Sequence, residues 1–144
     1  MTQNYKNHLR LFPLHHYIAT PLTIGLFIWS LVALGSMNTD NCADGLFKIL
    51  ASFALVLVVF IARTYGIKNQ DRVIRLEMRQ RYFELTNKSF APLEKQLRMG
   101  QIIALRFAGN DELLPLIDRA IAENLSNKDI KQAVADWQAD FYRV

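Results

Sequence analysis

A chain of 144 residues is too short for a large enzyme and suits one membrane module, or a small module with a tail, since soluble domains run to about 100 to 150 residues. Apolar residues make up 51% of it while the mean hydropathy is barely positive, so their distribution matters more than their number. The lone cysteine, Cys42, excludes an intrachain disulfide framework and a multi-cysteine metal site, and the net charge of +4 is modest for a nucleic-acid binder.

Residues 1–17 form an amino-terminal segment that collects His8, His15 and His16 with Tyr5, Phe12 and Tyr17. Paired histidines invite a metal or haem reading, because neutral imidazole is a common ligand. Adjacent histidines on a helix point about 100° apart, however, and no carboxylate or cysteine in the segment completes a site. An aromatic belt anchored at a membrane interface is the better account, and no cofactor is expected.

Residues 18–37, "IATPLTIGLFIWSLVALGSM", carry no charge, and residues 46–65, "LFKILASFALVLVVFIARTY", are charged only near their ends. A bilayer core about 30 Å thick needs roughly 20 helical residues to cross it, so both runs are expected to be transmembrane helices. The rival for the first is a cleaved signal peptide, with small residues at Ala33 and Gly35. Its apolar run exceeds the usual h-region of about 7 to 15 residues, and Pro13 and the histidines interrupt the n-region.

The connecting loop, residues 38–45, carries Asp40 and Asp44 and no basic residue, whereas Lys6 and Arg10 precede the first run and Arg63, Lys68, Arg72, Arg75, Arg79 and Arg81 follow the second. Positively charged flanks stay cytoplasmic, which predicts both termini inside and the loop outside. Cys42, in that loop, reads as a solitary thiol or as an intermolecular disulfide across a dimer. Lys48, just inside the second run, can lay its stem along lipid and reach the headgroups. The absence of a charge in the middle of either run argues against a proton relay or gated pore within one subunit.

Residues 66–87 continue the second run as a helix, with Gly66 the place for a bend. Around it, Lys68, Arg72, Arg75 and Arg79 form a basic stripe with Ile67, Ile74, Met78 and Leu85 on one flank, Leu76 and Phe83 on the other, and Glu77 and Glu84 pointing away. Residues 63–87 hold six basic and three acidic side chains, while residues 88–144 hold eight of each, so the excess charge is juxtamembrane. Anionic lipid headgroups or an acidic partner suit such a stripe, at about 1 kcal/mol per basic residue near the surface. A solvated face with a Glu77–Arg81 pair is the plainer reading. Nucleic acid is the weaker one, since no helix-turn-helix, zinc or RNP signature accompanies the stripe.

Residues 88–144 read as short helices: "APLEKQLR" of one turn or two, "QIIALRFA" ended by Gly109, "NDELLPLIDRAIAENL" capped by Asn110 or Asp111 with Pro115 near its first turn, and a last helix capped by Ser126 or Asn127. The last carries Ile130, Val134, Trp137 and Phe141 at spacings of four, three and four. Trp137 and Phe141 suit a core, or alternatively the docking of a partner. A tail this small is at the limit of independent stability and calls for burial against the juxtamembrane helix, a second copy or a larger complex. Glycine-rich phosphate loops, H-E-x-x-H and G-x-S-x-G are all absent, so no enzyme is expected.

"NYKNHLR", "PLHH", "QDRVIRLEMRQRYFELT", "IALRFA", "ENLS" and "DWQADFYRV" together resemble a family of small, uncharacterised bacterial membrane proteins with two spans and a helical cytoplasmic tail. The resemblance covers nearly the whole chain and implies a bacterial cytoplasmic membrane location, with no activity to carry over. The fold expected is thus an all-α membrane protein: a transmembrane helical hairpin, a juxtamembrane helix and a small helical cytoplasmic domain. The function expected is that of a non-enzymatic membrane subunit or adaptor docking a partner or second copy. The alternatives are a component of an oligomeric channel or transport complex, and a membrane tether for nucleic acid or ribosomes.

Overall fold

The computed structural model describes residues 12–35 and 42–140, and among these it is helical, with one isolated bridge between extended residues and no strand. Expectations for Tyr5, His8, Lys6, Arg10, Asp40 and Phe141 lie outside the described residues. The chain divides into two compact units that meet in sequence at Ile67 and Lys68.

In the first unit a π-helical turn, Leu14–Ala19, leads into α1, Thr20–Leu34. Its wider hydrogen-bonding pattern is supported by side chains, with Thr23 Oγ1 donating to the Ala19 carbonyl at 2.9 Å and His16 Nδ1 lying 3.0 Å from the Phe12 carbonyl. The next helix, α2, runs from Cys42 to Thr86 as 45 residues of α-helix, unbroken at Gly66. Leu14–Leu34 and a window of α2 are each long and apolar enough to cross a membrane.

Contacts between α1 and the first part of α2 centre on two hydroxyls. Ser30 and Ser52 place their Oγ atoms 2.9 Å apart, and each also reaches a carbonyl of its own helix, Phe27 or Ile49. One proton bridges the pair while the other goes to backbone, so neither buried hydroxyl is left unmade. The Phe27 and Phe53 rings pack beside them at 5.5 Å. What this unit exposes is apolar: Trp29, Val32, Phe47 and Phe60 are all more than 70% accessible.

The second unit has the opposite distribution. It comprises the C-terminal part of α2, a single turn α3 (Ala91–Glu94), α4 (Met99–Leu105), α5 (Asn110–Ala122) and α6 (Asn127–Ala133). Ile74 and Met78 of α2 are buried with Phe90, Ile102, Leu105, Leu113, Ile117 and Ile130 in one core, and Tyr82 packs its ring 5.3 Å from that of Phe90. Each such side chain contributes about 1.5 to 3 kcal/mol by leaving water. The residues after α2 therefore take two of their core partners from its C-terminal part.

The short helices end where side chains can take over from the backbone. Gln101, itself buried, accepts from the Arg98 N–H at 2.7 Å and donates to the Leu125 carbonyl at 2.9 Å. Ser126, one of the two expected caps, accepts from the Asp129 N–H, and the Asp129 carboxylate returns a bond to Ser126 and is held below the usual carboxylate range by it. The cap of α5 differs from expectation: it is Gly109, not Asn110 or Asp111. A Cβ there would run into the Asp136 carboxylate, so close approach of the chain, not capping chemistry, selects the residue. Pro115 sits in the second turn of α5, exposed, and removes one backbone bond there.

The last helix is also shorter than its apolar spacing suggested. It ends at Ala133, Val134 is extended, and Trp137 pairs by a backbone bridge with Ala108, the Gln138 N–H donating to the Phe107 carbonyl at 2.7 Å. Glu112 explains the stop: its carboxylate accepts from the N–H groups of Gly109, Ala135 and Asp136, which holds residues 135 and 136 in an extended course over the start of α5.

Candidate functional site: the basic stretch of α2

Residues 68–86 share one helix but not one environment. Lys68 and Arg72 are exposed and form no ion pair with a described residue. Arg75 and Arg79, one turn further, converge on Glu94 of α3: Arg79 Nε lies 2.6 Å from Oε2, and Arg75 Nη1 3.3 Å from Oε1, with Arg75 Nε also 3.3 Å from the sulfur of Met99. The Glu94 side chain is only 9% accessible, whereas the two arginines stay half exposed. Hydrogen bonding to Arg79 holds the Glu94 carboxyl below its usual range and raises the guanidinium in turn.

Arg81 has a third role. Its Nη1 and Nη2 donate to the carbonyls of Arg106 and Ala108 at 3.1 and 2.6 Å, and its Nε to Asn110 Oδ1 at 2.8 Å. These acceptors lie in the turn between α4 and α5, where helix-end carbonyls lack intrahelical partners, so one guanidinium satisfies the turn from outside. Burial in that position pushes its pKa down, an effect opposed by Asp136.

Trp137 stacks on Phe107 with ring centroids 4.6 Å apart and planes 17° from parallel. Arg106 lies 4.9 Å from the same Phe107 ring centroid, and its guanidinium forms an ion pair with Asp140. The aromatic residue weighed above as a docking residue thus has one face on its own chain. In the first unit, His15 and His16 sit edge to face at 5.0 Å beside a cavity of about 320 Å³ whose wall includes Thr20, Thr23, Phe60 and Arg63. Among the described residues no three His, Cys, Asp or Glu side chains are grouped as metal ligands.

Sequence reasoning placed Lys68, Arg72, Arg75 and Arg79 on one stripe but missed Glu94, Arg81 and Glu112 as the groups that bind the segments together. A signal for Glu94 was present: it is the only acid between Glu84 and Asp111, opposite a helix rich in arginine. Arg81 and Glu112 bond chiefly to backbone, which leaves no trace in residue type.

A family model described as a family of unknown function (DUF6526) matches residues 1–144. The chain belongs to that family. No curated protein and no solved structure matches it. The match covers both units in one piece, and the family's description carries no activity to either.

Proposed function

We propose that this member of the family is a non-enzymatic subunit or adaptor of a bacterial cytoplasmic membrane, in which α1 and the first part of α2 form a transmembrane hairpin and residues 68–140 present a small helical domain to the cytoplasm. The observation that carries the reading is the exposure of Trp29, Val32, Phe47 and Phe60 on helices whose buried side chains include Ser30 and Ser52. Apolar surface on this scale is costly in water and ordinary in lipid. Orientation rests on the asymmetry of lysine and arginine about the two runs.

Beneath the bilayer, Lys68 and Arg72 are the cations free to meet anionic headgroups, while Arg75 and Arg79 divide their charge between solvent and Glu94. A channel component would need a polar stripe, and the hydroxyls of Thr23, Ser30 and Ser52 are each bonded within the two helices. The adaptor reading is preferred for that reason.

Two measurements test it. The chain is expected to stay with the membrane pellet through an alkaline carbonate wash, and Cys42 in intact cells to react with a membrane-impermeant maleimide. In a Cys42→Ser background, Gln96→Cys is expected to react only after permeabilisation. Release by carbonate, or the reverse labelling pattern, would overturn the anchor or its orientation respectively.

A further inference from the structure

The side of α2 turned away from the domain core has a pattern of its own. Asn69, Val73, Leu76, Gln80 and Phe83 follow one another at intervals of four, three, four and three residues, and all are exposed, Val73, Leu76 and Phe83 by 52%, 61% and 55%. Intervals of four and three keep these side chains on one face of the helix, as the seam of a coiled coil requires. With Val73 and Gln80 at heptad position a and Asn69, Leu76 and Phe83 at d, Arg72 and Arg79 fall at g, and Glu77 and Glu84 at e.

We propose that residues 69–84 of α2 form a parallel two-stranded coiled coil with a second copy of this chain. In a parallel pair each g residue meets the e residue five positions on in the other helix, which sets Arg72 against Glu77 of the second copy and Arg79 against Glu84 of the second copy. An antiparallel pair would bring g to g and e to e, arginine to arginine. The sequence thus holds both halves of each ion pair, as self-association requires and a different partner would not.

The remaining groups are compatible with the seam. Gln80 gives one amide proton to Glu84 at 2.8 Å, which leaves a donor and its carbonyl for the matching Gln80 of the second copy. Arg79 holds Glu94 through Nε, leaving its terminal nitrogens for Glu84 of the second copy. Ile74, Met78, Arg81 and Tyr82, which bind the chain's own domain, occupy the outer b, c and f positions, so core and seam do not compete. The parallel direction rests on the membrane reading proposed above as well, since two copies anchored in one bilayer leave it side by side.

The test uses the full chain in native membranes with Cys42→Ser. Leu76→Cys is expected to give a covalent dimer with a short bismaleimide, while Gln96→Cys, exposed but off the seam, stays monomeric. Arg72→Glu alone and Glu77→Arg alone are each expected to lower the cross-linked fraction at position 76 at least about threefold, and the two together to restore it. Cross-linking at 76 no greater than at 96, adducts with another protein in place of the dimer, or failure of the double reversal would overturn the seam. Retention in a carbonate-washed pellet without cross-linking refutes the seam and leaves the anchor; release from the pellet with cross-linking intact does the opposite.

Discussion

Residues 12–67 and residues 68–140 use the same helical backbone with opposite insides. In the first region the buried side chains between the helices include a pair of serine hydroxyls, and Trp29, Val32, Phe47 and Phe60 are on the surface; in the second the core is Ile74, Met78, Phe90, Leu105 and Leu113, and charged side chains such as Lys68 and Arg72 are on the surface. On the membrane reading proposed above, the difference reflects what each region is solvated by. Where lipid is the solvent, burying an apolar group gains nothing and burying a polar one against another polar group does; where water is the solvent, the order reverses.

The sharpest way to break this contrast is a pair of substitutions. Ile74→Asp puts an unpaired charge into the core of the second region and is expected to cost at least about 4 kcal/mol, abolishing its cooperative thermal melt in detergent. Trp29→Ala removes a larger side chain that is 76% exposed and is expected to leave the melt and the helix content unchanged. A comparable loss from Trp29→Ala would mean that the first region is packed, not solvated.

The next effect in size isolates the clamp on the second region. Arg81→Gln leaves the Arg106 and Ala108 carbonyls without their donor and is expected to destabilise the domain by about 1 to 3 kcal/mol, read from the midpoint of denaturant unfolding. Arg72→Gln, earlier on the same helix and exposed, is expected to stay within about 0.5 kcal/mol of the parent in the same experiment.

Acid sharpens the comparison further, because Glu94 lies in only one of the two regions. Its carboxyl titrates below the ordinary range when folded, through its bond to Arg79, so the stabilisation is complete above the unfolded glutamate pKa and is lost as pH falls through the lower folded value. The second region is therefore expected to lose stability from about pH 4.5 downward, the unfolded glutamate value lying near 4.3. Glu94→Gln should be less stable at neutral pH and show a shallower acid dependence over that window. An unchanged pH profile in Glu94→Gln would show that the arginine contacts contribute nothing measurable.

The smallest expected effect belongs to the serine pair. Ser52→Ala is expected to weaken the α1–α2 contact by about 0.6 kcal/mol, the average for such bonds between membrane helices, detectable as a small loss in resistance to unfolding by a denaturing detergent.

Much of the second region was legible in outline and little of it in detail. Ser126 as a cap and Ile130 as a core residue follow from local pattern, which the structure reproduces because both depend on neighbours within one turn. Gly109 in place of Asn110 as the cap, and the end of α6 at Ala133, depend on Asp136 and Glu112, more than twenty residues away from the groups they meet. Spacing alone carried Val134 and Trp137 into a helix; the two bonds from the Ala135 and Asp136 N–H groups to the Glu112 carboxylate take them out of it. For the basic stretch, charge and periodicity put Lys68, Arg72, Arg75 and Arg79 on one line, and only the position of Glu94 separates the first two from the last two.

What the sequence determined by itself is the pair of apolar helices, the charge asymmetry about them and the heptad spacing along α2, because hydropathy and helical period are properties of neighbouring residues. Tertiary structure alone decided that Ile74 and Met78 belong to the tail's core, that Arg81 closes the α4–α5 turn and that Glu94 takes up two arginines. Those contacts join residues 27 positions apart for Arg81 and Ala108 and 19 for Arg75 and Glu94, and a contact at that separation is set by which surfaces the fold brings together.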